Sequence, residues 1–228
     1  MPVTKYPCPT CGAEIPFRTS IAAYATCPYC RTMVVRQDDG IRNIGTMAQL
    51  PDDMSPFQIG TDGYYKGVHF GIVGRMRIGW EDGSWNEWFL VSDDMKRGWL
   101  AEAQGFYAPC FDTTGEIDDR HLGDIKSLAA AVEAEKGSCM ANLMGRTIPL
   151  AHASYRITDI KQAECIGSEG ELPFPAAKGR KTWSIDLTHG EGQFASIELG
   201  PEGLRVFEGQ YVEWPDLRCG NYRRFEGW

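Results

Sequence analysis

A long alternation of apolar and polar positions marks the region from Val68 to Trp80 as a β-strand. A period of two over this length predicts a strand with one buried face. We therefore expect Trp80, at the end of that face, to be buried in the core. The glycine in the one gap predicts a bend or bulge. The even positions that form the apolar face are Val68, Phe70, Ile72, Met76, Ile78 and Trp80, with the gap at Gly74.

The residues that follow predict an antiparallel meander and then a second group of strands. The tetrapeptide EDGS at Glu81–Ser84 is typical of a hairpin turn. Short apolar or alternating runs separated by turn residues predict the remaining strands. These lie at about 85–92, 98–104 and 106–111, and later at 146–150, 154–166, 181–187, 193–199, 204–207 and 210–213.

One alanine-rich stretch, DIKSLAAAVEAEKG, breaks the β pattern and predicts a single helix near 122–136 that ends at Gly137. It places Ile125, Leu128, Ala129 and Val132 on one face, as expected for an amphipathic helix. The predicted fold class is mainly β. It consists of an N-terminal zinc ribbon followed by an antiparallel sheet or barrel-like domain with one helix.

Length and composition suggest one ordinary domain plus a small module. We place the ribbon at 1–37 and a linker at 38–54, where charges, glycines and prolines replace periodicity. The β domain is expected at 55–213. Residues 214–228 form a C-terminal tail that is locally basic and aromatic, and that is expected to dock on a surface.

Four cysteines carry the most specific chemical signal in the chain. They occur as CPTCG at Cys8 and Cys11 and as CPYCR at Cys27 and Cys30. Two residues within each pair let both sulfurs face one point, and this spacing is typical of a four-cysteine zinc site. Gly12 follows the first pair, where a tight turn favours positive φ. The sequence thus predicts one structural zinc ion in a zinc ribbon.

Two other uses of these cysteines are less consistent with the sequence. A redox CxxC motif is typically accompanied by a βαβ pattern, which the sequence does not have. Disulfides are typical of exported proteins, and the N-terminus has no apolar stretch typical of a signal peptide. Since four protein ligands fill a tetrahedral site, the metal is expected to be structural and to supply stability that so small a module lacks.

Charge and hydropathy limit the expected partners and compartment. The net charge of −8 divides into +2 for residues 1–44 and −10 for the remainder. An acidic body disfavours a phosphate backbone, so no strong nucleic-acid binding is expected. No apolar run approaches the roughly twenty residues of a membrane span. We expect a cytoplasmic protein. The other cysteines are expected to be small buried hydrophobes, and they are Cys110, Cys139, Cys165 and Cys219.

Outside the cysteines, three side chains are candidates for function. Glu87 lies between two tryptophans, Glu171 lies in the tetrapeptide GELP, and His69 lies on the polar face of the long strand. A carboxyl group among large side chains is expected to have a raised pKa and a partner, and Arg75 and Arg77 are the expected partners of Glu87. The alternative is that both glutamates accept structural hydrogen bonds. No catalytic motif accompanies them.

Several motifs resemble those of the uncharacterised bacterial family DUF4178. They are FQIGTDGYYKGVHFGIVGR at Phe57–Arg75, WNEWFL at Trp85–Leu90, WLAEAQG at Trp99–Gly105, GELP at Gly170–Pro173 and FEGQYV at Phe207–Val212. The resemblance implies a β-rich domain, often preceded by a CPxCG ribbon. It also implies an association with polyamine-metabolism or membrane-stress genes. It supplies no catalytic residues. Trp88 stands where the family often has tyrosine.

Three functions remain open from the sequence. The first is a non-enzymatic zinc-ribbon adaptor or binding module whose partner is expected to be a protein. The second is an enzyme or small-ligand-binding domain that uses a cleft containing Glu87 and Glu171. The third is a nucleic-acid accessory protein that acts through the ribbon.

Overall fold

A computed structural model describes residues 3–38, 40–51, 53–135 and 140–225. The described chain is mainly β and contains one α-helix, α1 (Asp119–Glu135). No helix in these ranges is long and apolar enough to cross a bilayer. The strands are β1 (Thr4–Pro7), β2 (Glu14–Phe17), β3 (Tyr24–Thr26), β4 (Thr32–Gln37), β5 (Gly40–Thr46), β6 (Asp62–Tyr65), β7 (Val68–Trp80), β8 (Gly83–Ser92), β9 (Arg97–Ala103), β10 (Phe106–Asp112), β11 (Thr147–Pro149), β12 (Ser154–Leu172), β13 (Lys181–His189), β14 (Gln193–Gly200) and β15 (Gly203–Gln210).

Eight antiparallel strands close into a barrel, in the order β7-β8-β9-β10-β15-β14-β13-β12. Closure depends on the 19-residue strand β12. Its first part pairs with β13 from Arg156 to Glu164, and its second part pairs with β7 from Cys165 to Gly170. A barrel of about eight strands has an interior just wide enough to be filled by side chains or to hold one small ligand.

Two glycines allow the closing strands to approach each other. A Cβ atom on Gly74 would lie 1.9 Å from the carbonyl oxygen of Glu171. On the opposing strand, Gly170 has a φ of +69°, and its Cβ would lie 2.4 Å from the carbonyl oxygen of Val73. Any other residue at these positions would push β7 and β12 apart or strain the backbone.

A bulge divides the long strand β7 into two parts that face opposite ways. The register with β8 shifts between Ile72 and Gly74. Before the shift, Phe70 and Ile72 pack outside the barrel, whereas Met76 and Ile78 after it pack inside. The expected bend is therefore present, but the prediction of one buried face is wrong. An extra residue moves every later side chain to the other face of the sheet.

Helix α1 covers the outer face of the barrel formed by β12 to β15. Its predicted apolar face is confirmed, because Ile125, Leu128, Ala129 and Val132 are all buried. They pack on outward side chains of the strands such as Ile185. The helix begins at Asp119, a few residues earlier than predicted. Residue 136 and the predicted stop at Gly137 lie outside the described ranges.

The outer face of β7 to β10 is covered by chain segments before and after the barrel. The Phe57 ring stacks on Trp214 with centroids 5.3 Å apart, and Trp214 stacks on Tyr222 at 4.9 Å. The C-terminal tail thus docks on the barrel. Residues 210–213 were predicted as a strand, but Gln210 is the last residue of β15. Of residues 211–213, only Val212 pairs, in an isolated bridge to Tyr107.

The N-terminal residues 3–46, here called the cysteine module, share a sheet with the barrel. Strand β3 pairs with the far end of β12, β4 pairs with β3, and β5 pairs with β4. The segment 38–54 was predicted as a linker. That prediction is wrong for Gly40–Thr46, because these residues form β5 and extend the sheet. The separate hairpin of β1 and β2 completes the module.

Asp53 fastens the segment between the cysteine module and the barrel. It pairs with Arg75, with Arg77 at 2.5 Å and with Arg223 at 3.2 Å, and it accepts a hydrogen bond from Asn86 at 3.1 Å. Burial alone would raise the pKa of Asp53, but the guanidinium group of Arg75 and these donors lower it. The carboxylate is therefore ionised and balances several cations at one point.

We expect Asp53→Ala to lower the free energy of unfolding by about 3 kcal/mol, because three arginines lose a largely buried counter-charge. For a chain of this length, this corresponds to a fall in Tm of roughly 6–12 °C. The control is Glu14→Ala, which removes an ion pair to Lys5 whose side chains are 67% and 56% exposed. Its cost should be much smaller, because solvent screens an exposed ion pair. Equal costs in thermal or urea unfolding would show that Asp53 is not a central contact.

Candidate functional site

A cavity of about 980 Å³ occupies one end of the barrel and opens to solvent there. We call it the lumen. Its mouth lies between the turns that follow β7 and β9 and the segment 211–216. The rest of the barrel interior is filled by apolar side chains such as Val73, Phe89 and Leu172. The wide opening of the barrel therefore lies at this end. A smaller pocket of about 90 Å³ shares Trp99, Glu198 and Phe207 with the lumen.

Polar side chains line the lumen because the apolar faces of β13 and β14 point away from it and pack against α1. In these strands Ile185 and Ile197 point outward, toward α1. The alternating positions then point inward. They carry hydroxyl and carboxyl groups that line the cavity, namely Ser184, Asp186, Ser196 and Glu198.

Aromatic rings supply the apolar part of the lumen wall. Trp85, Trp99, Phe194, Phe207 and Tyr211 all line the cavity. Trp99 is buried, so it belongs to the barrel core as well as to the lumen wall.

Trp80 also lines the lumen, at its mouth, and it is 42% exposed. The prediction that it is buried in the core is wrong. The bulge turns its side of β7 toward the interior, and the strand ends where the interior opens.

Glu87 projects from β8 into the lumen and accepts a hydrogen bond from Nε1 of Trp85 at 2.7 Å. Burial, with a further contribution from the nearby charge of Glu198, raises the pKa of Glu87 to about 8. The expected partners Arg75 and Arg77 pair with Asp53 instead. They do so because Met76, not an arginine, lies opposite Glu87 in the register.

Glu198 is a second lumen carboxyl group, and no motif or neighbouring residue in the sequence singles it out. Burial raises its pKa to about 7, and Arg180 only partly opposes this effect. Within the described ranges, its carboxylate makes no hydrogen bond and no ion pair. Arg180 is itself engaged with Glu202 and Thr182.

Lys161 is the one cationic side chain among the residues that line the lumen. Its ammonium group pairs with Asp159 at 2.5 Å and with Asp186 at 3.1 Å. It also lies 5.6 Å from the ring centroid of Trp80 and 5.2 Å from that of Trp85. These groups hold the ammonium between two carboxylates and two indole rings.

Glu171 does not line a cleft, since it is fully buried. Its carboxylate accepts hydrogen bonds from the backbone N–H groups of Arg18 at 2.8 Å and Thr19 at 3.2 Å. The side chain of Arg18 adds a contact at 3.3 Å. These contacts match the alternative that Glu171 accepts structural hydrogen bonds, and they join the cysteine module to the barrel. A cleft shared by Glu87 and Glu171 is not formed.

His69 lies on the barrel surface between two aspartates. Its ring nitrogens contact Asp93 at 3.1 Å and Asp62 at 3.3 Å. The hydrogen bond to Asp93 raises the pKa of His69. The contacts of the other described histidines are with different acidic groups or with backbone, so the structure forms no histidine cluster from them. His69 therefore has the surroundings of a surface ion pair.

The four predicted cysteines meet at one point in the cysteine module. The sulfurs of Cys8, Cys11, Cys27 and Cys30 all lie within 4.8 Å of one another. Cys8 and Cys30 are 3.6 Å apart, and Cys11 and Cys27 are 3.8 Å apart. A tetrahedral ion bound to thiolates at about 2.3 Å would separate its sulfurs by about 3.8 Å. The donor set and the spacing both fit a metal ion.

Two matching turns position these sulfurs. In the first, the N–H of Gly12 donates to the carbonyl of Cys8, and in the second the N–H of Arg31 donates to the carbonyl of Cys27. Gly12 has the expected positive φ, at +77°, and Arg31 has +60° at the corresponding position. A hydrogen bond from the Thr32 hydroxyl lowers the pKa of Cys30 to about 6, which favours a thiolate.

The remaining described cysteines do not join this cluster. Cys110 and Cys165 are buried, as expected for small hydrophobes, and Cys219 is partly buried. Burial raises the pKa of all three thiols. Cys139 lies outside the described ranges.

Comparison with known proteins identifies one family. A family model described as a domain of unknown function (DUF4178) matches residues 58–214. No curated protein and no solved structure matches the chain. The matched range contains all eight strands of the barrel and every lumen-lining residue except Asp216, but not the cysteine module.

Glu87→Gln should change the pH dependence of stability. The raised pKa of Glu87 means that the folded state holds this proton more tightly than the unfolded state. The resulting stability is present below the unfolded pKa of about 4.5 and is lost as pH rises through about 8. The variant lacks this titration, so its Tm relative to the unsubstituted protein should rise between about pH 5 and pH 9.

Thermal unfolding across this pH range measures the difference. Glu133→Gln is the matched control, because Glu133 is exposed on α1. Its Tm difference from the unsubstituted protein should stay nearly constant. A Tm difference for Glu87→Gln that does not change with pH would contradict the enclosed environment assigned to this carboxyl group.

Proposed function

Since the chain belongs to the DUF4178 family, a domain of unknown function, we propose its role from the geometry of the barrel. It acts as a non-enzymatic binding module, and the lumen holds a small organic molecule. The observation that carries this proposal is the cavity of about 980 Å³ inside a closed barrel.

The composition of the lumen supports ligand binding. Small-molecule sites are concave, of roughly 300–1,000 Å³, and lined by apolar and aromatic side chains with a few polar groups. The lumen combines rings such as Trp85 and Phe207 with polar groups such as Ser184 and Glu87. An ordinary packed interior would have filled this volume with side chains.

The proposal includes a zinc ion as the metal of the cysteine module. Four thiolates in a tetrahedral arrangement are typical of structural zinc, and the module then resembles a zinc ribbon. The sheet shared by β3 and β12 would hold the ribbon rigidly against the barrel. Tyr29, at the second cysteine turn, is 75% exposed and would suit contact with a partner protein. Free thiolates also suit a reducing, cytoplasmic environment.

An enzyme is the second candidate, and it is supported by the raised pKa values of Glu87 and Glu198. Carboxyl groups with perturbed pKa values in a cavity are typical of acid–base catalysis. Analysis of the ligand recovered after incubation distinguishes binding from catalysis, because a binding module returns its ligand unchanged. The third candidate, nucleic-acid binding, is disfavoured by the acidic charge of the barrel region.

We expect about one zinc ion per chain in protein purified without added metal, measured by elemental analysis. Cys27→Ser should lose the metal, because one of the four converging sulfurs is removed. Cys219→Ser, which changes a cysteine outside the cluster, should retain it. Another metal at full occupancy would reject zinc, and unchanged binding in Cys27→Ser would reject the site.

We expect the lumen to bind N-phenylnaphthylamine, a neutral apolar dye whose fluorescence rises out of water. Ala101 lines the cavity, so Ala101→Phe should fill part of it and weaken dye binding by about tenfold or more. Ala103→Phe is a second blocking variant nearer the mouth. Ala130→Phe, on the exposed side of α1, is the control.

Circular dichroism establishes that each variant is folded before dye binding is compared. Ligand recovered unchanged after incubation favours a binding module, and conversion favours an enzyme. Dye binding that is absent, or equal in all folded variants, would overturn the proposal that the lumen is a ligand site.

A further inference from the structure

Resting on the proposed function, we infer that the ligand of the lumen is an organic ammonium ion with an apolar body. Its charged group is held by Glu87 and Glu198, and its body packs on the aromatic wall. This names the chemical class of ligand, whereas the proposed function requires only that a small molecule bind.

The charge on the lumen wall is strongly one-sided. Lys161 is the one cation among the lining residues, against six carboxyl groups: Asp82, Glu87, Asp186, Glu198, Glu213 and Asp216. Cavities lined by one sign of charge concentrate ligands of the opposite sign. The exposed carboxylates Asp82, Glu213 and Asp216 at the mouth would draw a cation toward the interior.

The single cation does not neutralise the inner carboxyl groups. Lys161 is already paired with Asp159 and Asp186. Glu87 receives only the indole N–H of Trp85, and Glu198 has no ion pair within the described ranges. Arg180 lies near Glu198 but is engaged with Glu202 and Thr182, and its charge only partly opposes the effect of burial. Glu87 and Glu198 thus face the cavity without an ion-pair partner of their own, and an enclosed charge without a partner is unfavourable. A cationic ligand would supply the missing charge.

Lys161 shows that this lumen can hold an ammonium group. Its Nζ lies against two carboxylates and within 5.6 Å of the ring centroids of Trp80 and Trp85. This is the combination of ion pairs and cation–π contacts that recognises organic cations. Deeper in the lumen, Glu87 and Glu198 stand among Trp99, Phe194 and Phe207. These groups offer the same chemistry to a ligand.

Neutral and anionic ligands are less well matched. An anion would meet the uncompensated carboxyl groups, and a neutral ligand would leave them unpaired. The ligand is expected to have an apolar body because the lumen wall has aromatic rings, which a small inorganic cation would not cover. The ligand therefore combines an ammonium group with an aromatic or aliphatic body.

The test uses the whole 228-residue chain and displacement of N-phenylnaphthylamine by three molecules of similar size. These are phenethylamine as the cation, phenethyl alcohol as the neutral compound and hydrocinnamate as the anion. At about pH 8.5 the amine is largely protonated, and the pH lies above the pKa values of about 8 for Glu87 and about 7 for Glu198. Phenethylamine should compete at least about tenfold more strongly than the alcohol, and hydrocinnamate should compete least.

Two variants identify the groups responsible. Glu87→Gln and Glu198→Gln should each reduce competition by phenethylamine by about fivefold to tenfold. Competition by phenethyl alcohol should change less than about twofold, because shape and apolar surface are retained. Glu133→Gln removes the same charge from the exposed surface of α1 and should leave all three compounds unchanged. Having two lumen variants keeps the test decisive if one of them fails to fold.

The outcomes separate this inference from the proposed function. If the dye binds in the lumen but the three compounds compete equally, the lumen is a ligand site and the ammonium inference is wrong. A cation preference that survives in both glutamine variants would also overturn the inference. If the dye does not bind at all, the proposed function itself fails.

Discussion

The pairing of β7 with β12 is the contact on which the rest of the structure depends. It turns an open meander into a closed barrel and so creates an interior. The pairing is possible because Gly74 and Gly170 let the two backbones approach where a Cβ atom would collide with a carbonyl oxygen. Beyond this point, β12 continues into its pairing with β3, so the same strand carries the cysteine module.

Closure also determines where polar groups go. The outer faces of the barrel are covered, by α1 on one side and by the flanking segments with Phe57 and Trp214 on the other. The covering segments pack on the apolar faces of the strands. The polar faces of β13 and β14 are then left for the interior, where enclosure raises the pKa of Glu198 and, from β8, of Glu87. The lumen therefore has carboxyl groups on its wall because the apolar faces of these strands are buried under the covering segments outside the barrel.

The cysteine module is joined to the barrel by buried charge as well as by strand pairing. Glu171 accepts backbone hydrogen bonds from Arg18 and Thr19 of the module, and Asp53, in the segment between the module and the barrel, pairs with three arginines. Each carboxylate would be an unpaired buried charge without the other segment. The metal site fits this arrangement, since a cross-linked cysteine cluster would fix the loop that contacts Glu171.

The sequence by itself determined the features that depend on local spacing. These are the cysteine quartet, the apolar face of α1 and most of the barrel strands, because each is encoded within a few neighbouring residues. It identified Glu87 as an unusual carboxyl group but assigned it the wrong partners. Only the tertiary structure decided that Trp80 lies at a mouth, that Glu171 is a joint, and that Lys161, Asp186 and Glu198 meet Glu87. Alternation shows which side chains share a face of a strand. Long-range pairing, the bulge in β7 and the placement of α1 decide which face becomes the interior.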